Sequence, residues 1–325
     1  MEINFSNSRS KVQALTEAIS AAIITGEFGD GDNLLSINDA SRKYAVSRDT
    51  VFKAYSDLKR RGLIDSNPMK GYFVKSEVTH VLLLLDTYSP FKQNLYNRFV
   101  ARLPESYKVD LIFHQYNERL FETIVKDSLV RYNMFVLMNF SNIQFSAALR
   151  SIPSGKLLLL DFGDFEKDGY SYICQNFDQS FYDALVTLEP SLQKYRQLSL
   201  VFPPQVSHPE SAVDHFQRFC NDYHFEYKVY KNDRVGIQKF TTYICIDPGD
   251  LVKIIKEADA LGWEIGREIG VVAYNDNPIL EVIKNGITAI SVDFGLMGEM
   301  AAAYVLNKKP VQEFLPTNVI LRKSV

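Results

Sequence analysis

The spacing of apolar positions changes near residue 80. Before that point it is helical. Val12, Leu15, Ile19 and Ile23 fall on one face of a helix that starts at Arg9 and stops at Gly26. Ile37, Ala40 and Tyr44 mark a short second helix after Ser36. Val51, Ala54, Tyr55 and Leu58, at i, i+3, i+4 and i+7, mark a third that begins at Ser47. Ser47 is suited to cap it, Lys59, Arg60 and Arg61 suit its C-terminus, and Gly62 stops it. Val46 is expected to plug the turn between the last two helices. Leu63-Ile64-Asp65 and Gly71-Tyr72-Phe73-Val74 then read as two short strands around an Asn67-Pro68 turn. Residues 1–8 read as a polar lead-in and Phe28–Asp32 as a loop. Gly29 and Gly31 are turn residues there, because no strand precedes them.

After a short connector, Ser76-Glu77-Val78-Thr79-His80, the pattern becomes one of apolar runs. Val81–Leu85 is continuous, as expected for a strand buried on both faces of a parallel sheet. Further strands are predicted at 109–114, 134–139, 156–161, 172–174, 198–202, 225–230, 242–246, 268–273 and 289–292. Helices are predicted between them: a stripe of Phe91, Leu95 and Phe99, then 120–130, one through Phe181, Leu185 and Leu188, then 212–223, 250–261, 278–284 and 296–306. Strands alternating with helices predict a doubly wound α/β domain. The fold expectation is therefore an N-terminal winged helix-turn-helix over residues 1–75, followed by an α/β domain over 78–325.

The third helix leaves Arg48, Thr50 and Lys53 on its open face. A helix whose first turn carries Arg and Thr, beside a basic hairpin, can enter a major groove while the hairpin touches the backbone. Residues 47–61 concentrate basic charge: Arg48, Lys53, Lys59, Arg60 and Arg61 against Asp49 and Asp57. That charge alone would describe an ordinary solvated face. The order of residues says more. Leu34 and Ser36, Val46-Ser47-Arg48-Asp49-Thr50-Val51, Leu58, Gly62-Leu63-Ile64, Gly71 and Val74 resemble the winged helix-turn-helix of GntR-family transcription regulators, spacings included. The chain departs from that pattern at Leu35, where Pro is usual, and at Asn38, where Arg is usual. The resemblance implies DNA contacts at Ser36, Asn38, Ser47, Arg48, Thr50 and Lys53, with Lys70 and Gly71 placing the wing on the backbone.

In doubly wound folds ligands sit at the carboxyl ends of strands. The loops predicted there are polar or aromatic: Asp86–Phe91, Gln115-Tyr116-Asn117, Asp161–Asp164, Asn176–Asp178, His208–Glu210, Asp247–Asp250 and Asn275–Asn277. Carboxylates and amides can bind neighbouring hydroxyls, and aromatic rings stack on the apolar face of a pyranose. Asp and Asn also follow strands for backbone reasons alone. From Val81 onward the chain resembles the effector domain of LacI-type regulators, which shares its fold with the two-lobed periplasmic sugar-binding proteins. The residues carrying this are Leu261-Gly262, Gly270–Asp276, Thr288–Asp293 with Gly298 and Ala301, Arg322 with Ser324, and Asp86 with Ser89-Pro90-Phe91. The resemblance implies sugar contacts at Ser89, Phe91, Asp247 and Asn275 or Asp276, and the loop pattern adds Asp161, Asp178 and His208 as candidates. Asp247-Pro248 stands where Asn-Asp is usual, and His208 or Glu210 where an Arg is usual.

Composition narrows the classes. A chain of 325 residues suffices for two domains. A net charge of −3 requires any DNA contact to come from a local patch. There is no apolar run of about 18 residues and no signal-peptide pattern. Cys174, Cys220 and Cys245 are odd in number and far apart, which argues against disulfides and zinc and fits a reducing cytoplasm. No G-x-S-x-G, H-E-x-x-H or phosphate loop is present, so no catalytic residue, metal or cofactor is expected. Taken together, the two resemblances imply a cytoplasmic, sugar-responsive regulator similar to bacterial arabinose-type repressors. Its expected partners are a double-stranded DNA operator, a small sugar such as arabinose or fucose, and a second copy of itself. The rival expectations are a GntR-type protein fused to an aminotransferase-like domain, for which the C-terminal part is too short, and a sugar-binding protein whose N-terminal module mediates assembly.

Overall fold

The computed structural model describes residues 10–29, 31–75, 78–141, 145–161, 167, 169–202, 208–231 and 234–325. The expected lead-in at 1–8, Asp30, Ser76-Glu77 and the 162–164 part of the loop after Asp161 lie outside the described residues. The chain divides into two compact units, Met1–Val78 and Thr79–Val325.

The first unit contains α1 (Lys11–Ile24), α2 (Ile37–Lys43), α3 (Arg48–Arg60), β1 (Ile64–Asn67) and β2 (Gly71–Val74). Each helix starts on a serine whose hydroxyl accepts a backbone N–H: Ser10 from Gln13, Ser36 from Asp39 and Ser47 from Thr50. The apolar stripe of α3 is fully internal, with Val51, Ala54, Tyr55 and Leu58 packed on Leu15, Ile19 and Ala40. Tyr55 also donates to the Leu35 carbonyl at 2.9 Å and meets the Tyr72 ring edge-on at 4.8 Å. Val46 is buried in the turn, and its carbonyl accepts from Ser41 Oγ at 2.6 Å. Ile37 is only half-buried. β1 and β2 form an antiparallel ribbon in which Ile64 pairs with Val74. Residues 31–34 extend this wing, since Leu34 N–H donates to Tyr72 O at 2.8 Å and Val74 N–H to Asp32 O at 2.9 Å. Gly71 opens the return strand at φ +75°, a conformation that favours glycine.

The second unit is built on two six-stranded sheets. In chain order its elements are β3 (Thr79–Leu85), α4 (Pro90–Ala101), β4 (Tyr107–Phe113), α5 (Glu118–Ser128), β5 (Met134–Leu137), β6 (Leu157–Leu160) and β7 (Ser171–Gln175). Then follow α6 (Gln179–Leu192), β8 (Gln197–Val201), α7 (Ser211–Asp222), β9 (Glu226–Tyr230), β10 (Thr241–Cys245), α8 (Pro248–Ala260), β11 (Gly270–Tyr274) and β12 (Thr288–Val292). The last elements are α9 (Phe294–Asn307), β13 (Gln312–Leu315) and β14 (Thr317–Ile320). The sheets run β13-β7-β6-β5-β3-β4 and β14-β12-β11-β10-β8-β9, and all pairs are parallel except β12 with β14.

Each sheet is the centre of its own lobe and is covered on both faces. In the first lobe α4 and α9 cover one face, around Leu95, Phe99, Met297 and Ala301, and α5 covers the other around Phe121 and Val125. In the second, α6 and α7 pack one face and α8 the other. Burial on both faces explains why the central strands are continuous apolar runs. The chain passes between lobes three times among the described residues: after β7, after β12, and between β13 and β14, which only Pro316 separates.

Three details differ from the sequence expectation. Residues 278–284, expected as a helix, form two short 3-10 turns, 278–281 and 283–285, because Lys284 and Asn285 take positive φ before Gly286. Between β5 and β6 the described residues hold only 3-10 turns, at 147–151 and 154–156, and no α-helix. β13 and β14 have no counterpart among the predicted strands. No helix of the described residues is long and apolar enough to cross a membrane.

Candidate functional site

The first unit presents α3 with its apolar face inward and Arg48, Asp49, Phe52, Lys53, Ser56, Lys59 and Arg60 exposed. The basic cluster is less free than its composition suggests. Lys59 is held by Asp65 at 2.9 Å and by Ser66 at 2.9 Å. Arg60 and Arg61 both reach Asp57, Arg61 at 2.6 Å. Lys53 pairs with Asp49 at 2.7 Å, with both side chains exposed. Arg48 makes no ion pair among the described residues. Ser47 and Thr50 share a hydrogen bond of 2.8 Å between their hydroxyls at the helix start. Ser36 is engaged as a cap and donates to Asp39 at 2.5 Å, while Asn38 is exposed. Lys70 is exposed at the wing, where its backbone N–H donates to Asn67 Oδ1 at 2.6 Å, and Gly71 follows it. Of the exposed side chains on α3, sequence reasoning singled out Arg48, Lys53, Lys59 and Arg60, and at the wing Lys70; it did not single out Phe52, Ser56 or Met69, the last 97 % exposed.

The second unit contains a cavity of about 650 Å³ at the carboxyl ends of the strands of both sheets. Its walls are the segment 86–92 after β3, Tyr116 after β4, Met138 and Asn139 after β5, Asp161 after β6, Gln175 at the end of β7 and Phe177 after it, His208, 246–249 after β10, and Tyr274 and Asn275 at the end of β11. β3 and β5 flank the point where strand order reverses in one sheet, and β8 and β10 do so in the other, which is where such folds open a crevice.

Six of the eight sequence candidates line this cavity: Ser89, Phe91, Asp161, His208, Asp247 and Asn275. Ser89 and Asp247 each cap a helix. Ser89 Oγ accepts from Lys92 N–H at 3.4 Å, and Asp247 Oδ1 accepts from Gly249 N–H at 2.7 Å and Asp250 N–H at 3.3 Å. Phe91 packs against Phe294, ring centres 4.6 Å apart. Asp161 accepts from Gln175 Nε2 at 2.5 Å, and burial pushes its carboxyl up to about 6. His208 is boxed by Phe177, Phe202 and Tyr274, the last at 4.5 Å, and burial pushes its imidazole down to about 3, so it is neutral. Among the described residues His208 Nε2 and Asn275 Oδ1 are shielded from solvent without a hydrogen-bond partner.

The other two candidates are corrected. Asp276 does not line the cavity. It turns to Arg322, which grips it with two hydrogen bonds of 2.7 and 2.9 Å. Asp178 is also outside the lining, and Ser211 Oγ donates to its Oδ1. Beside the lining candidates stands Lys92, which sequence reasoning did not single out, joined to Asp86 and Tyr116 from two of the loops it did. Lys92 is buried and bonds Asp86 Oδ1 through its Nζ, and Tyr116 donates to Asp86 Oδ2 at 2.5 Å. A second chain runs from Tyr274, which donates to Gln175 Oε1 at 3.3 Å, on to Asp161. A Lys in the first turn of the helix that follows a strand-ending Asp was the available signal.

Comparison with known proteins fits both units. Residues 11–74 match the bacterial regulatory proteins of the gntR family, and residues 208–325 match the periplasmic binding protein-like domain. The chain joins a GntR-type head to a periplasmic-binding-protein-like domain. The head is 36% identical over 64 residues to an uncharacterized HTH-type transcriptional regulator, YcxD, of Bacillus subtilis (strain 168). That match covers 20% of this chain and 14% of the relative, so the chain spans a small part of the curated relative's length. Among solved structures, the trehalose repressor from Escherichia coli superposes with a TM-score of 0.64 at 14% identity, covering 75% of this chain and all of that one. A LacI family transcriptional regulator from Lactobacillus casei with bound sucrose gives 0.63 at 16% identity, covering 76% of this chain and 100% of that chain. A transcriptional regulator CelR–cellobiose complex gives 0.62 at 14% identity, covering 86% and 92%. At these identities the likeness is one of fold: the second unit has the LacI-type architecture.

Proposed function

We propose that this chain is a DNA-binding transcription regulator whose GntR-type head reads an operator and whose LacI-type unit binds a small carbohydrate. The observation that carries the reading is the cavity. It sits at the switch points of two doubly wound sheets, and its lining presents His208 Nε2 and Asn275 Oδ1 without partners beside the carboxylates and rings of Asp161, Asp247, Phe91 and Tyr274. Unpartnered polar atoms in a buried setting are what ligand hydroxyls would satisfy. The volume is that of a small-molecule site. The sugars named with the neighbouring structures, sucrose and cellobiose among them, support the same class of ligand.

On the head, Arg48, Thr50 and Lys53 face the major groove, with Ser36, Asn38 and Ser47 on nearby phosphates and Lys70 and Gly71 bringing the wing to the backbone. The regulator acts in the cytoplasm as a homodimer on paired half-sites, and the ligand releases it as a repressor. Ligand binding works by shifting a population: the sugar must prefer one arrangement of the dimer, otherwise operator affinity does not change.

The test is a thermal-shift screen of the full chain against arabinose, fucose, glucose, sucrose, cellobiose and trehalose, followed by operator binding with any hit. A ligand at ~100-fold above its Kd raises apparent stability by roughly 2.7 kcal/mol. One sugar that stands out and then changes DNA affinity supports the reading. A hit with no effect on DNA binding favours a sugar-binding protein with an assembly module.

A further inference from the structure

The charges around the cavity do not balance. Asp86, Asp161 and Asp247 line it, against Lys92 as its one cation among the described residues. That ammonium is already held, because Lys92 is buried and bonded to Asp86. His208 is neutral, as burial holds its imidazole near 3. Asp161 is pushed up to about 6 by burial, which the Gln175 hydrogen bond and the Lys92 charge partly offset, so its carboxylate form still prevails at neutral pH.

The loop residues outside the described set do not supply a missing cation. In the sequence, 142–144, 162–166, 168 and 203–207 contain no Lys, Arg or His. Lys167 stands over the rings of Tyr172 and Phe314, 5.7 and 5.9 Å from their centres, and does not line the cavity.

Two helix N-termini meet the cavity and would favour an anion. That of α8 is already occupied by the Asp247 carboxylate, which accepts from Gly249 and Asp250. That of α4 is capped by the neutral Ser89 and contributes roughly half a positive charge. With Lys92 and Asp86 neutralising each other, Asp161 and Asp247 outweigh it.

We infer that the cavity selects an uncharged polyhydroxy ligand and rejects phosphorylated or carboxylated counterparts. Asp161 and Asp247 are the excluding charges, and Asp86 is the residue that withholds Lys92 from an incoming anion. An anionic group that displaced Asp86 from Lys92 would leave that buried carboxylate without its counter-charge, a cost that offsets the attraction between the new anion and the ammonium. The inference rests on the carbohydrate reading of the cavity.

The test is calorimetric titration of the full chain at pH 7.5 with glucose, galactose, arabinose, sucrose, cellobiose and trehalose, against glucuronate, galacturonate, arabinose 5-phosphate and the 6-phosphates of glucose, sucrose, cellobiose and trehalose. A neutral sugar that binds is expected to do so about a hundredfold more tightly than its anionic counterpart. An anionic counterpart that binds as tightly, or alone, overturns the inference while leaving the carbohydrate reading in place. A panel in which nothing binds removes the carbohydrate reading and the inference with it. Asp86→Asn frees Lys92 and is expected to narrow the neutral-to-anion ratio about tenfold. Should that variant fail to fold, Asp247→Asn keeps a side-chain cap and removes one excluding charge, with the same expected direction. An unchanged ratio in a folded variant overturns the assignment of these residues.

Discussion

Arg48 occupies the first turn of α3 with an exposed side chain and no carboxylate partner among the described residues, whereas Lys59, Arg60 and Arg61 are tied to Asp65 and Asp57. Arg48→Ala is therefore expected to weaken operator binding by about 1–3 kcal/mol without changing the melting temperature of the head, measured by anisotropy and circular dichroism. Asp161 gives a pH-dependent prediction. Its carboxyl is raised by burial to about 6, so the folded state holds the proton more tightly than the unfolded chain does. The resulting penalty on the native state is fully present above about pH 6 and disappears as pH falls below the ordinary value of 3.8. Asp161→Asn, which can still accept from Gln175, is expected to melt higher than the parent at pH 7.5, with the gap closing by pH 4. The same variant is expected to bind the sugar less well, because a neutral amide accepts hydroxyls more weakly than a carboxylate. At this scale sequence patterns located strand-end residues but not their partners. Arg322 takes Asp276 across 46 positions, and Ser211 takes Asp178 across 33, pairings that only the folded sheet edges bring together.

Among the elements, α3 was the most legible, because one residue set decides its cap, its buried stripe and its stop. The central strands were equally plain, since burial on both faces leaves no alternation to misread. β13 and β14 were not, being four residues each, edge strands, and partly exposed. The 278–285 segment carries helix-like spacing, but the positive φ of Lys284 and Asn285 breaks it into 3-10 turns. Packing of α4 on α9 depends on Gly298, where a Cβ would lie 2.3 Å from the Leu95 carbonyl oxygen and 3.1 Å from its carbon. Backbone cannot yield as a flexible side chain can. Gly298→Ala is expected to destabilise the second unit by about 1–3 kcal/mol in urea, leaving the head's transition unchanged.

At the scale of the molecule, the two-part architecture followed directly from the change in apolar period, and the cavity's position followed from strand order. The pairing of its one cation among the described residues did not, because Lys92 and Asp86 meet only when β3 and α4 come together. A single head of this size binds DNA weakly, so a duplex with two inverted half-sites is expected to bind far more tightly than one with a single half-site. Sedimentation showing a monomer at micromolar concentration, with and without DNA, would remove the dimer from the mechanism. A hundredfold change in operator affinity on adding sugar would require an equal change in sugar affinity on adding operator, which titration in the reverse order measures.

The three passages between lobes also govern the order of synthesis. The head is continuous in sequence and can fold as soon as β2 clears the ribosome, in keeping with the tendency of N-terminal domains to fold first. The first lobe cannot follow in turn. Its core needs Phe294, Met297 and Ala301 from α9 and Leu315 from β13, so it waits while the whole second lobe through β12 is translated. A message broken anywhere between these points would yield a finished head attached to an open sheet that still lacks its closing helix and edge strand.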